Sequence, residues 1–213
     1  MTINVGVLAL QGAVREHLYM IKSCDAKGIA IKKPEELSRV DALIIPGGES
    51  TTIGKLIVKY GFITPIKELY RKGVPLYGTC AGLILLANRV SNSPEAAGKD
   101  NSNGANKLPL MGLVDMEVRR NAFGRQRESF EAYLDIPKLG NPPFKGVFIR
   151  APLIDSVGPQ AEVLARFEGK IVMAQAGRIV VTAFHPELTK DRRIHKYFLQ
   201  MIETADCQQT KVN

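Results

Sequence analysis

The chain has 213 residues, 45% hydrophobic and 23% charged, a balance that excludes a disordered polypeptide and suits one domain able to bury its core without disulfides or metals. Lys and Arg outnumber Asp and Glu by 29 to 21, but they are scattered in ones and twos (Lys32-Lys33, Arg119-Arg120, Arg192-Arg193); that argues against a nucleic-acid surface, and an acidic partner surface or an anionic metabolite is at least as good an account of the +8 charge. Cys24, Cys80 and Cys207 form no CxxC pair and are odd in number, so neither a zinc site nor a disulfide framework is indicated, and with no signal segment or membrane-length apolar run in view a reducing, cytoplasmic setting is the default expectation.

In chain order, Ile3–Leu10 predicts a buried strand. Ala13–Cys24 predicts a helix on the spacing of Val14, Leu18 and Ile21, stopped at Gly28. Short strands follow at Ile29–Lys32 and Ala42–Ile45. Helices are expected over Thr52–Tyr60 and Ile63–Arg71, broken at Gly61, then a strand at Val74–Tyr77 and a helix opening at Ala81–Ala87. This alternation implies a mostly parallel sheet covered by helices on both faces. Ser91–Pro109, rich in Ser, Asn, Gly and Ala, reads as a surface loop or insertion. The second half turns to β structure, at Gly112–Val118, Gly146–Ile149, Val163–Phe167, Lys170–Ala176 and Arg178–Ala183, with Gly169 and Gly177 as hairpin turns. A last helix is expected over Arg192–Thr204 and a frayed tail over Ala205–Asn213. The predicted whole is a single α/β domain over 1–213, a three-layer sandwich with extra antiparallel strands in its C-terminal half.

Three constellations carry chemistry. Pro46-Gly47-Gly48-Glu49-Ser50-Thr51-Thr52 lies between a strand and a helix. Its glycines let backbone N–H groups converge on an anion, and Ser50 or Thr51 can cap the helix. It lacks the GK[ST] of a phosphate loop; a plain tight turn is the alternative to an oxyanion donor and substrate clamp at Gly47. Next, Gly78-Thr79-Cys80-Ala81-Gly82 joins a strand to a helix in the manner of a nucleophile elbow. Cys80 would sit at a helix N-terminus that favours a thiolate, with the Ala81 N–H placed for a developing oxyanion. Alone, the motif also suits a small buried cysteine in a tight turn. Finally, Phe184-His185-Pro186-Glu187 follows a strand, so His185 can face Cys80 as a base while Glu187 orients its ring; alone, it also suits a surface turn capping the last helix. His17 and His195, on helical patterns, are expected to be solvated or capping side chains. Cys24 and Cys207 read as ordinary thiols, and Asp191-Arg192-Arg193 as a helix start.

With these motifs in place, the sequence resembles the class I, triad-type glutamine amidotransferases, which carry G-x-C-x-G and H-P-E. Leu8–Gly12, PGGESTT, GTCAG, Arg120–Gln126, Phe148–Pro152 and FHPELT, in that order, resemble the glutaminase-subunit family of pyridoxal 5′-phosphate synthases from about Val5 to Phe198. Ser91–Pro109 departs from the family pattern by its length. The resemblance implies hydrolysis of L-glutamine to glutamate and ammonia through a thioester on Cys80, with His185 and Glu187 completing the triad. It implies that Gly48, Glu49, Ser50, Arg120, Ile149 and Arg150 bind glutamine. It also implies a (β/α)8-barrel synthase partner in a large hetero-oligomer, with no cofactor or metal. A cysteine peptidase on a related fold is the competing enzyme reading, but it leaves Arg120–Gln126 and Phe148–Pro152 without a role. A non-enzymatic binding or regulatory module leaves the intact Cys, His and Glu unexplained.

Overall fold

The computed structural model describes residues 2–91, 108–120 and 129–209, from residue 203 onward as backbone only. The first half runs β1 (Asn4–Leu8), α1 (Val14–Ser23), β2 (Lys27–Ile31), β3 (Ala42–Ile45), α2 (Ser50–Lys59), α3 (Ile63–Arg71), β4 (Leu76–Thr79) and α4 (Ala81–Leu86). The second half runs β5 (Ala87–Ser91), β6 (Val114–Arg119), β7 (Ser129–Leu134), β8 (Phe144–Ile149), β9 (Leu153–Val157), β10 (Ala161–Phe167), β11 (Lys170–Ala176), β12 (Ile179–Thr182) and α5 (Arg193–Gln209). Most of the predicted loop Ser91–Pro109, the motif residues Asn121–Gln126 and the end of the predicted tail lie outside the described residues. The last helix runs to Gln209, past the predicted stop at Thr204.

The main sheet has the order β2-β1-β3-β4-β12-β11-β9-β6-β5, with β10 on β11. Strands β2, β1, β3, β4 and β12 are mutually parallel. Almost every residue of β1, β3, β4 and β12 is buried, as expected of parallel strands covered on both faces. Their sequences accordingly read as unbroken apolar runs rather than alternating ones. The chain steps one way from β1 to β2 and the other way from β3 to β4. With right-handed crossovers, α1 and the α2–α3 pair therefore cover opposite faces. The reversal falls between β1 and β3, and the crevice beyond the C-terminal ends of such strands is where open α/β sheets bind ligands.

Antiparallel pairing takes over beyond β12, through β11, β9 and β6. Gly169 and Gly177 adopt positive φ in the turns of the β10–β11 and β11–β12 hairpins, as predicted. Three strands escaped prediction: β5, β7 and β9. The β7–β8 ribbon stands apart from the main sheet. It is held by Phe130 and Phe148, whose rings stack with centroids 4.6 Å apart. Its β8 strand ends at Ile149, beside the crevice.

Candidate active site

A cleft of about 460 Å³ opens at the C-terminal edge of the parallel strands. Every residue singled out in the sequence as catalytic, oxyanion-binding or substrate-binding lines it except Glu187, which stands behind His185.

Cys80 occupies the turn between β4 and α4 with φ 48° and ψ −98°. An L-residue held in that region is strained, a state that persists only where the surroundings enforce it. Those surroundings are specific. A side chain at Gly78 would meet the backbone of Gly82 at 2.8 Å, and one at Gly82 would collide with the carbonyl of Ile45 at the end of β3. The two glycines of the elbow are thus needed for close approach of strand and helix. The Cys80 N–H donates to the carbonyl of Thr182 at 2.8 Å, which fixes the elbow to the end of β12. The N–H of Ala81 belongs to the first helical turn, where the helix itself offers no acceptor.

Three residues past β12, His185 donates its backbone N–H to Val147 of β8 at 2.8 Å. Its Nδ1 lies 2.7 Å from Glu187 Oε1, both side chains being buried. The opposite nitrogen is left for Cys80, which is near enough to favour a charged ring. Burial opposes charge on this imidazole. The neighbouring Cys80 and the hydrogen bond to Glu187, together with the Glu187 charge, outweigh it and raise the His185 pKa to about 10. Burial likewise pushes the Glu187 carboxyl up, but His17 and His185 facing it bring it below its ordinary range. Cysteine, imidazole and carboxylate therefore stand in line, with the carboxylate fixing which ring nitrogen carries the proton.

The glycine loop departs in two ways from its sequence reading. Gly47 was expected to supply an oxyanion donor, yet its N–H donates to Thr79 Oγ1 at 2.8 Å. Its carbonyl accepts from the Ala13 N–H at 3.0 Å. Because the peptide plane sets N–H opposite C=O, the Gly48 N–H points away from Ala13, and among the described residues no hydrogen bond engages it. The helix cap is also not Ser50 or Thr51. Glu49 takes that place, accepting from the N–H groups of Thr51 and Thr52 at 3.0 and 2.6 Å and from the Thr52 hydroxyl at 2.6 Å. The Thr52 hydroxyl bond first, then these N–H groups, hold the Glu49 carboxyl down to about 2. Its oxygens are thus occupied with α2, and Arg120 stands 3.9 Å away.

The remaining expected residues frame the outer cleft. Arg120 reaches Thr51 Oγ1 at 3.4 Å, and Arg150, at φ 41°, follows Ile149 off the end of β8. Sequence reasoning gave no site role to Gln11. Its Oε1 accepts from the Glu49 N–H at 2.9 Å and lines the cleft. The signal was available, because Gln11-Gly12 leaves β1 at the same sheet edge as the glycine loop leaves β3.

The histidines set aside in the sequence correct the reading further. His17 and His195 are neither solvated nor capping: both are buried, at 0% and 1% exposure. His17 lies against Glu187, and His195 stands against the far side of the His17 ring.

Residues 7–204 match the SNO glutamine amidotransferase family. The chain is 54% identical to the pyridoxal 5′-phosphate synthase subunit PdxT of Pelotomaculum thermopropionicum, covering 92% of this chain and 94% of that one. It is 49% identical to PdxT of Moorella thermoacetica, covering 93% and 99%. A crystal structure of a glutamine amidotransferase superimposes with a TM-score of 0.83 at 44% identity, over 93% and 98% of the two chains. A glutamine amidotransferase from Thermotoga maritima, at 13% identity and a TM-score of 0.59 over 100% and 87% of the two chains, shares the fold.

Proposed function

Since this chain belongs to the SNO glutamine amidotransferase family, we propose that it hydrolyses L-glutamine to L-glutamate and ammonia through a γ-glutamyl thioester on Cys80, and passes the ammonia to a synthase subunit that makes pyridoxal 5′-phosphate. The observation that carries this reading is the buried alignment of Cys80, His185 and Glu187 at a strained strand-helix turn.

The chemistry follows from the atoms in place. Cys80 attacks the side-chain amide carbon of glutamine as a thiolate, its proton held on His185. The amide oxygen becomes an oxyanion and receives N–H donors from Ala81 and Gly48. As the tetrahedral species collapses, the C–N bond breaks and His185 gives its proton to the departing nitrogen, which leaves as ammonia. His185, now neutral, takes a proton from water; the hydroxide adds to the thioester carbon and the C–S bond breaks. Glutamate leaves, and the thiolate–imidazolium pair is restored. Glu187 supports the positive ring in both halves and keeps Nδ1 protonated. The α-carboxylate of glutamine suits the guanidinium groups of Arg120 and Arg150, and its α-ammonium suits carbonyl oxygens along Gly48–Ser50 and Ile149.

Free glutaminase activity would release ammonia to water, so coupling to the synthase is part of the proposal. The relatives are named as subunits of pyridoxal 5′-phosphate synthase, and the partner is read as a (β/α)8-barrel protein. The Gly47–Gly48 peptide is its point of control. If the carbonyl were turned from Ala13 toward the substrate it would repel the oxyanion, and two flanking glycines make that rotation sterically cheap.

The direct test is Cys80→Ala in an ammonia-release assay on glutamine. Hydrolysis should vanish while the melting temperature stays close to that of the parent. An electrophilic glutamine analogue should label Cys80 and spare Cys24. Mass spectrometry that placed the adduct on Cys24, or a Cys80→Ala protein that still turned over, would sink the assignment.

A further inference from the structure

We infer that His17, supported from behind by His195, is a positioning residue that holds the Glu187 carboxylate and the Thr79 hydroxyl, and through them the base His185 and the Gly47 loop. The inference rests on the reading of Cys80, His185 and Glu187 given above.

Four contacts define the cluster. His17 Nε2 lies 3.2 Å from Thr79 Oγ1 and 3.6 Å from Glu187 Oε1. His17 Nδ1 lies 3.1 Å from His195 Nε2. Thr79 Oγ1 in turn receives the Gly47 N–H at 2.8 Å. The ring of Tyr77 meets both imidazoles edge-on, with centroids 6.1 and 6.0 Å away. All of these side chains are buried, and apart from Glu187 none is used in the steps from thiolate attack to glutamate release.

The proton positions follow from what each atom can tolerate. Among the described residues, His195 Nδ1 has no hydrogen-bond partner. A buried N–H without an acceptor is rarer and costlier than an idle lone pair, so Nδ1 is the bare nitrogen. His195 then carries its proton on Nε2 and donates to His17 Nδ1. That leaves His17 with its proton on Nε2, donated to Thr79 Oγ1 at 3.2 Å, with Glu187 Oε1 alongside at 3.6 Å. Burial keeps both rings neutral, His195 at about 3 and His17 below its ordinary value. His17 is therefore a neutral N–H donor beside a buried carboxylate oxygen that also serves His185. A donor there keeps the carboxylate ionised and turned toward His185 without adding a cation that would compete with the imidazolium.

The same helix acts twice. The residue before α1, Ala13, donates its N–H to the Gly47 carbonyl, while His17 on its second turn reaches Thr79, which holds the Gly47 N–H. One rigid element thus fixes the glycine loop from both sides and steadies the acid of the triad. An apolar residue at position 17 would pack as well against Tyr77 and would avoid burying an imidazole. Its presence beside Glu187 is what calls for a role in the chemistry.

The test uses the full-length chain in complex with its synthase subunit, with rates normalised to sites titrated by an electrophilic glutamine analogue. His17→Leu removes the donor to Thr79 and the polar ring beside Glu187, and should lower kcat by about tenfold, the upper end of the range expected for losing one neutral hydrogen bond. KM for glutamine should stay within about twofold, because His17 touches no substrate. Alkylation of Cys80 by iodoacetamide at pH 7 should slow alongside kcat, since the imidazolium that supports the thiolate loses its fixed carboxylate. His17→Gln places an amide N–H near the position of Nε2 and should recover most of the lost kcat. His195→Phe, which frees the His17 tautomer, should show the same pattern at about tenfold, and it serves where His17→Leu does not fold. A folded His17→Leu or His195→Phe protein with parental kcat and alkylation rate overturns the inference, as does His17→Gln falling as low as His17→Leu. Cys80→Ala run in parallel separates the two claims. If it is dead while His17→Leu is normal, only the role of His17 fails; if it retains hydrolysis, the underlying reading fails.

Discussion

Replacing Gly47 with alanine adds one methyl group where the structure leaves no room for it. A Cβ at this position would overlap His185 Cε1 and lie 3.0 Å from His185 Nδ1 and 3.3 Å from Cys80 Cβ. Ordinary carbon contacts begin near roughly 3.5 Å, so something must retreat by about 1 Å. The loop is poorly placed to do so, being pinned by Thr79 at its N–H and by Ala13 at its carbonyl. The imidazole is the part expected to yield, which stretches its bond to Glu187 and moves it relative to Cys80. A displacement of that size at a reacting group costs on the order of a hundredfold in rate, and overpacking costs about 1–3 kcal/mol of stability. The assay is ammonia release at saturating glutamine beside a thermal melt. Gly61→Ala serves as control: it sits at positive φ, but has no atom within 4 Å of its would-be Cβ. It should lose some stability and keep its turnover per folded molecule. A Gly47→Ala protein with turnover within about threefold of the parent would refute the packing argument.

Other outcomes follow from the same geometry. His185→Asn should lose nearly all glutamine hydrolysis; Glu187→Gln should lose less but at least about a hundredfold, because it spoils orientation and charge support while leaving the base, and steady-state kinetics on the two variants checks the order. The folded pKa of His185 is about 10 against 6.5 free, so its contribution to stability is complete below pH 6.5 and fades as pH rises through 10; the melting-temperature gap between parent and Glu187→Gln should narrow over that window. His195 has the opposite sign, about 3 when folded, so stability is lost as pH falls from 6.5 toward 3, and acid melts of His195→Phe should show a shallower decline. Glu49→Ala removes the cap of α2 and should cost about 1 kcal/mol in a denaturant titration, with the larger share of any kinetic effect appearing in KM. Adding the synthase subunit should speed glutamine turnover, and equal rates with and without it would refute control at the Gly47–Gly48 peptide.

The parallel half of the fold was legible because its strands are buried on both faces: Ala42–Ile45 was placed to the residue, and α3 likewise. The elbow was legible because close approach of strand and helix demands glycine at 78 and 82. The strand at Ala87–Ser91 was not, since its partner is β6, more than twenty residues on, and its burial comes from that pairing rather than from local pattern. The two buried histidines are a different failure. Position 17 lies three residues past Val14 and four before Ile21, and position 195 lies three before Phe198. Helical spacing alone sets both on the inward stripe with α1's Ile21 and α5's Phe198. A polar residue on an apolar stripe was the signal, and it went unread because histidine is so often a surface residue. Glu49 shows the reverse case: the motif flagged the residue, but only the turn geometry reveals that its carboxylate is spent on the helix it precedes.

The strand that leads to His185 is an interior strand of the sheet, parallel to β4 on one side and antiparallel to β11 on the other. Tyr77 and Thr182, which join β4 to β12 through a hydrogen bond, are 105 residues apart in the chain. During synthesis, the cysteine elbow is therefore made long before its base exists. Until β12 slots into the gap, β4 has a bare edge and Cys80 has neither the Thr182 carbonyl that holds its turn nor an imidazole to take its proton. Contacts of such long sequence separation form late and slowly. A nascent or C-terminally truncated chain should thus carry an inert thiol, and reactivity toward glutamine analogues should appear in refolding only with the last long-range strand pairing, as a kinetic marker for completion of the sheet.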